Sequence, residues 1–377
     1  MDILLRAPRI LFARQTGDDL FVINGRIQFR RARNGMPSSG DGLFVLPGLV
    51  DAHAHLITSP SIGVPGYTEA RQTDPEELTR RVLMHLLAQR DAGVLAVRDA
   101  GAPTTTVVDV MKNLDPSLPY LQAAGRFIAP PGRYLPNTAR EVSGDDITVA
   151  ASEEAALGGG WVKFIGDSAH RDHPGTDPDV GWTVDELRPA VESARKAGAR
   201  IAMHVTTPAA VELAIALDID SVEHGSHLQP KHLKQMAARG RAWTPTLAAF
   251  RIFLERIRSR QLRMPERSFA EAVEAIERQL PQAVAEGVVI LCGSDAAIDH
   301  GKIGLEVLAF ISAGLTPEQA LRAATVDAWR YLGLGEPLAE NSVADFVAYD
   351  RDPLSDPEVL LSPRLVVRNG QIVHDRK

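Results

Sequence analysis

Pro47-Gly48-Leu49-Val50-Asp51-Ala52-His53-Ala54-His55 closes an apolar run that begins at Phe44 and sets two imidazoles two residues apart where a buried strand should end. Residues i and i+2 of a strand share a face, so both rings can reach one metal ion. Two ordinary strand-end histidines would read the same way. The pair gains weight only from what the rest of the chain places beside it.

Counting 44–55, eight apolar runs follow one another along the chain, the others at 94–99, 120–127, 161–165, 200–205, 221–224, 242–247 and 288–295. Amphipathic stretches separate them. Residues 74–91 carry Leu78, Val82, Leu83 and Leu86 at three-and-four spacing behind a Thr73-Asp74-Pro75 start. Comparable helices are expected over 184–197, 208–217, 230–239, 303–313 and 316–332, the last opened by Thr316-Pro317-Glu318. Eight strands alternating with helices predict an α/β fold, a (β/α)8 TIM barrel over 46–337. The Arg- and Glu-rich stretch 250–286 is the longest helical insertion. It reads as a solvated lid or a contact between copies of the chain, which leaves a homo-oligomer open.

The two ends resemble each other. Leu20-Phe21-Val22-Ile23-Asn24-Gly25-Arg26-Ile27 and Leu365-Val366-Val367-Arg368-Asn369-Gly370-Gln371-Ile372-Val373 each read as two strands joined by Asn-Gly, and Ala344-Asp345-Phe346-Val347-Ala348-Tyr349 adds another strand. A strand without partners in its own segment must pair elsewhere. The expectation is a small β-sandwich domain built from both termini, 1–45 and 338–377.

With 377 residues, 45% of them hydrophobic, the chain can bury a large core. A net charge of -7 opposes nucleic acid or an anionic membrane as partner, since both call for a basic surface. A small-molecule or dipeptide substrate is expected instead. The single cysteine, Cys292, rules out an internal disulfide and a Cys-x-x-Cys zinc site, and should be inert among the covering helices. The beginning of the chain lacks a basic start followed by an apolar stretch, and no segment is long and apolar enough to span a bilayer, so a cytoplasmic location is expected.

In a parallel barrel the reactive groups sit at the carboxyl ends of strands. Trp161-Val162-Lys163-Phe164-Ile165 holds a lysine inside the fourth run, Ile201-Ala202-Met203-His204-Val205 ends the fifth with a histidine, Val222-Glu223-His224-Gly225 ends the sixth, and Gly293-Ser294-Asp295 ends the eighth. Asp295 could cap the next helix, and His204 or His224 could be a hydrogen-bonded core histidine. Lys163 resists such a reading. A lone ammonium among Trp, Val, Phe and Ile carries a desolvation cost of several kcal/mol unless it is paired or chemically changed.

Pro-Gly-Leu-Val-Asp-Ala-His-Ala-His at 47–55, Val97-Arg98-Asp99-Ala100-Gly101, Glu223-His224-Gly225, Gly293-Ser294-Asp295 and Ala344-Asp345-Phe346-Val347 together resemble the amidohydrolase superfamily in its binuclear metal-dependent branch, close to Xaa-Pro dipeptidases and imidazolonepropionase-like proteins. The resemblance implies that His53, His55 and Asp295 ligate one divalent ion and that His204 and His224 ligate a second. It also implies that Lys163, carboxylated by carbon dioxide, bridges the two. Zinc is the first choice for such ligands, with manganese, cobalt and iron as alternatives. The implied reaction is hydrolysis of a C–N bond, an amide or peptide bond of a small or cyclic substrate, by a metal-bridging hydroxide, with Asp295 moving the proton to the leaving amine.

One departure concerns the third loop, where the peptidases of this branch carry a Gly- and His-rich segment. Here Ala129-Pro130-Pro131-Gly132-Arg133-Tyr134-Leu135-Pro136-Asn137 has no histidine. Arg133 could hold a substrate carboxylate and Tyr134 a carbonyl, or the segment is a surface turn. His170 and His173 lie on a polar loop after the fourth strand and could meet substrate or be merely solvated; His227 follows His224 by three residues and could meet substrate or cap the following helix. The alternatives are a mononuclear deaminase, a lactone or ester hydrolase, and a non-catalytic scaffold descended from a hydrolase. The deaminases lack the fourth-strand lysine, and their acidic donor has no counterpart in Val205-Thr206-Thr207.

Overall fold

The computed structural model describes residues 3–12, 18–33, 35–172, 177–262 and 264–376, so His173 lies outside the described residues. Leu49–Ala54, Val94–Asp99 and Tyr120–Ala123 pair in parallel in that order. Trp161–Ile165, Arg200–Val205, Ser221–His224, Ala242–Thr244 and Val289–Ile290 pair in parallel within a second sheet. Two parallel bridges connect these sheets, Ala123 with Gly160 and Ala54 with Asp295. The arrangement is a TIM-barrel-like α/β fold, with the strand carboxyl ends gathered on one side.

Two of the expected strands divide. In 44–55 the chain leaves one sheet for another at Gly48. Phe44–Pro47 pairs antiparallel with Phe346–Tyr349, and Leu49–Ala54 enters the barrel. The backbone groups of Gly48 are satisfied outside both ladders, its N–H by the Asp345 carbonyl at 3.3 Å and its carbonyl by Trp329 Nε1 at 2.6 Å. In 120–127, Tyr120–Ala123 ends before Phe127–Ala129, which pairs with the Lys163 strand on one side and Ala139–Glu141 on the other.

The helices begin where their start signals stand. Asp74 accepts from the N–H groups of Glu76 and Glu77 at the head of Pro75–Asp91, and Thr183 with Glu186 forms a reciprocal cap on Val184–Lys196. Pro208–Ala216, Pro230–Ala238 and Gly304–Ser312 also lie where periodicity places them. The stretch 316–332 is two helices, Pro317–Ala323 and Val326–Tyr331, because Thr325 leaves helical geometry and its hydroxyl bonds the Leu321 carbonyl at 2.6 Å. The 250–286 stretch belongs to Leu247–Arg258 and Glu266–Glu286. Each buries an apolar stripe (Phe250, Leu254 and Ile257; Ile276, Leu280 and Ala283) while Arg251 pairs with Glu277 at 2.7 Å. Among the described residues no helix is long and apolar enough to cross a membrane.

Residues from both termini form two further sheets. One contains Ile3–Arg6, Asp19–Ile23, Arg26–Arg30 and Gly40–Asp41. The other contains Arg9–Ile10, Phe44–Pro47, Phe346–Tyr349, Leu365–Arg368 and Gln371–Asp375. They share an apolar cluster that includes Leu5, Leu20, Val22, Val45, Phe346 and Val367, distinct from the cluster under the helices. Both Asn-Gly turns hold positive φ at each central residue, 51° and 76° at Asn24-Gly25 and 50° and 76° at Asn369-Gly370. That is the tight hairpin geometry whose twist matches the flanking strands.

The two turns abut. A Cβ at Gly370 would stand 2.2 Å from the Cα of Gly25, backbone that cannot yield. Left-handed strain and overpacking therefore add at this position, and Gly370→Ala is expected to cost roughly 2–4 kcal/mol. Denaturant midpoints measure the effect, and an unmoved midpoint would refute the contact.

Candidate metal centre

Strand ends bring the sequence-identified side chains to one place. One ligand atom from each of His53, His55 and Asp295 lies within 4.8 Å of the others, and His55 Nε2 stands 3.4 Å from Asp295 Oδ1. The His53 ring centroid is 5.1 Å from that of His55 and 5.1 Å from that of His224, and His204 and His224 are 4.6 Å apart. Lys163 is buried on the fourth strand in register with Ala202, two residues before His204 on the fifth. Among the described residues its ammonium has no ion-pair partner within 4.0 Å.

The backbone is unusual here. His224, Thr246 and Asp295 all adopt left-handed φ, 66°, 51° and 51°, at or just beyond the ends of the sixth, seventh and eighth strands. Such conformations cost about 1–3 kcal/mol each in non-glycine residues and persist where surrounding structure imposes them. Gly293 supplies close approach: a Cβ there would meet the His53 Cβ at 2.5 Å.

Burial governs the protonation of the cluster. It pulls His53 down to about 4, assisted by the charge of Lys163, and holds His224 well below the usual imidazole value, assisted by His204 and His53. His204 is lowered for the same first reason. Neutral imidazoles are what a divalent metal requires. Burial likewise brings Lys163 down to about 8 against the pull of Glu223. Asp295 moves the other way: burial opposes its charge, yet His55 and the other imidazoles hold its carboxyl well below the carboxylate range. His53, His204 and His224 thus offer neutral nitrogens and Asp295 an ionised carboxylate, which fits divalent cations, whereas against the effect of burial Asp295 raises His55, a proton that ligation would displace.

Several supporting residues escaped the sequence reading of roles. Glu223 Oε2 lies 2.6 Å from His53 Nδ1, and Arg98 donates to both Glu223 oxygens at 2.8 and 3.0 Å. Asp99 accepts from the N–H groups of Leu56 at 2.7 Å and Gly101 at 3.0 Å, and the Gly101 carbonyl bonds His55 Nδ1 at 2.9 Å. Asp51, on the first strand, holds the segment that follows the eighth by accepting from Ser294 N–H at 3.0 Å and Ser294 Oγ at 2.6 Å. Asp167 accepts from Thr206 and Thr207 N–H and lies 3.6 Å from His204 Nε2. Thr246 Oγ1 stands 2.7 Å from His224 Nδ1. Glu223, Arg98 and Asp99 lie inside the quoted motifs; a charged residue within an apolar strand was the available signal.

The loop candidates divide. Tyr134 flanks the centre, its ring 5.9 Å from His204 and 5.4 Å from Phe127. Tyr67 does the same from the other side, 5.4 Å from His55. Burial first and the charge of Asp295 second raise both phenols, keeping them protonated. Arg133 spends Nη1 on the carbonyls of Ser168 at 2.6 Å and Asp179 at 2.8 Å, so this guanidinium ties two loops together. His170 bridges Arg133 through the backbone and its ring stands over Gly132. His227 is lowered by burial and feels Asp167 and Glu271. Cys292 is buried, with its thiol pushed well up by burial.

Comparison with known proteins gives concordant matches. An uncharacterised protein of Mycobacterium tuberculosis is 34% identical over 365 residues, covering 95% of this chain and 92% of that one. Ochratoxinase of Aspergillus niger is 30% identical over 193 residues, 49% of this chain and 39% of that one. A solved Xaa-Pro dipeptidase with methionine bound in its active site shares the fold, with a TM-score of 0.82 at 20% identity over 99% of both chains. The model of the amidohydrolase family matches residues 44–373. The chain therefore belongs to the amidohydrolase family, and it is an enzyme acting on carbon–nitrogen bonds.

Proposed function

We propose that the protein hydrolyses an amide or peptide bond of a small substrate, as a dipeptidase-like or cyclic-amide hydrolase that depends on two divalent ions, zinc by preference. The observation that carries this reading is the joint placement of His53, His55 and Asp295 beside a buried Lys163 that has no ion-pair partner among the described residues. His53, His55 and Asp295 would hold one ion and His204 and His224 the other. Lys163, carboxylated on Nζ, would serve both as an anionic oxygen donor and lose the cost of a buried cation. The metals would supply acidification of a water and polarisation of the scissile carbonyl.

The chain's own groups account for the remaining steps. Asp295 is ionised and takes the proton released from the attacking water, then returns it to the nitrogen as the C–N bond breaks. Tyr67, Phe127 and Tyr134 pack ring to ring beside the cluster and Phe250 lies against His224; these rings would exclude water and favour an apolar substituent. A dipeptide or N-acyl amino acid agrees with the Xaa-Pro dipeptidase and ochratoxinase likenesses. The organisation assigned to the chain is a closed (β/α)8 body over 46–337, with a β-sandwich from 1–45 and 338–377.

Metal analysis combined with hydrolysis screens of dipeptides, N-acyl amino acids and lactams tests this. Two equivalents of metal and chelator-sensitive release of an amine are expected. Turnover of lactones alone, or amide turnover untouched by chelation, would overturn the reading.

A further inference from the structure

The barrel interior beneath the metal centre is charged where side-chain packing alone would call for Val, Ile or Leu. Arg98 and Glu223 are both fully enclosed, 1% and 0% exposed. Arg98 Nε donates to the Ala52 carbonyl, its Nη2 to both Glu223 oxygens and, at 3.3 Å, to Thr244 Oγ1. Nη1 is buried without a partner among the described residues. Below it the guanidinium carbon lies 4.5 Å from the centre of the Trp161 ring; Arg200 lies 4.3 Å from the same ring and 3.9 Å from Tyr331. A column Tyr331, Arg200, Trp161, Arg98, Glu223, His53 therefore runs up the barrel to the first of the two strand-one imidazoles.

Burying two full charges and leaving one guanidinium NH2 group without a partner is costly, and well-packed apolar residues commonly replace such a pair at no loss of stability. Stability thus does not explain the pair; direction does. A carboxylate held by a guanidinium can only accept, so the 2.6 Å contact fixes the proton of His53 on Nδ1. The lone pair of Nε2 is then the one that faces the cluster. We infer that Arg98 and Glu223 are positioning residues that lock the tautomer and ring orientation of His53 for metal ligation, with Trp161 and Arg200 as the base on which Arg98 rests. This rests on the metal-site reading above and adds to it the residues that set its affinity.

Glu223→Gln is the discriminating variant. Its amide oxygen is claimed by Arg98, which turns the NH2 group toward His53 and favours the opposite tautomer. Outer-shell partners of this kind are worth about 10–100-fold in metal affinity. The double variant Arg98→Met with Glu223→Leu removes both charges, and with them the acceptor that faces His53 Nδ1, and so avoids an unpaired buried ion. Zn2+ affinity is measured by competition with a chelator, the folded state by thermal melting, and the tautomer by 15N-histidine NMR of the metal-free protein, with the His53 signal identified by its loss in His53→Gln.

Both variants are expected to bind Zn2+ about 10- to 100-fold more weakly, with the double variant melting near the wild type and the Nδ1-protonated His53 signal lost. Wild-type affinity in the folded double variant, or a lowered melting temperature with unchanged affinity, would overturn the inference while leaving the metal centre standing. A wild-type protein that binds no Zn2+ would remove both.

Discussion

Replacing Lys163 by alanine or methionine should empty the centre of metal and lower turnover about a thousandfold or more, the equivalent of some 4 kcal/mol of transition-state stabilisation. The two variants separate function from packing. Alanine leaves a cavity on the fourth strand, whereas methionine fills much of the same volume without charge. Lys163 is buried, and burial already draws it down to about 8. Its ammonium is a burden to the fold, so Lys163→Met in the metal-free state is expected to melt at or above the wild type. The terminal sheets have their own apolar cluster and should remain folded in both variants. Elemental analysis checks metal content, and bicarbonate in the refolding buffer should raise metal uptake by the wild type alone. Near-normal stoichiometry in Lys163→Met would refute the bridging role.

The TIM-barrel-like fold was legible because each strand carries an apolar run and several helices carry a start signal that their structure uses, as Asp74, Thr183 and Thr316 do. The Asn-Gly turns were legible for the same reason, since few residues accept two consecutive positive φ values. The points where runs divide were hidden. Phe44 to Ala54 is buried throughout in both sheets, and only long-range partners, Asp345 and Trp329 for Gly48, decide where one strand ends. The helices Thr106–Lys112 and Asp146–Ala156 were missed because the first is short and the second is rich in alanine and acidic residues without a sharp apolar stripe.

The site shows the same division. That His53, His55, His204, His224 and Asp295 come together was legible because strand-end polarity is visible in one dimension, and Lys163 stood out as a charge inside an apolar strand. Glu223 and Arg98 could not be assigned roles. Their meaning is a contact across 125 residues of sequence, and a buried ion pair leaves no periodic trace. Tyr67 was equally hidden, lying on a four-residue helix far from any metal motif. Arg133 shows the converse: a side chain that looked free to bind substrate is committed to the carbonyls of Ser168 and Asp179.

Asp295→Asn is expected to reduce kcat by roughly 10²- to 10⁴-fold, the usual worth of a positioned acid or base, while leaving more metal in place than any Lys163 variant. The choice of asparagine matters. Asp295 sits at φ 51°, a conformation that asparagine tolerates, whereas alanine would add backbone strain and confuse the outcome. The backbone bonds that hold the residue also survive, because they use its main-chain groups: its N–H donates to the His53 carbonyl at 2.7 Å, and Ala54 bridges it in parallel. An amide oxygen can still ligate. What disappears is the negative charge that His55 and the neighbouring imidazoles stabilise, and with it the ability to accept a proton from water and return it to nitrogen. KM should therefore change little while kcat falls, since the aromatic rings proposed to bind substrate are untouched. A fall confined to KM, or a kcat within tenfold of wild type, would assign the proton transfer elsewhere and leave Asp295 as a ligand only.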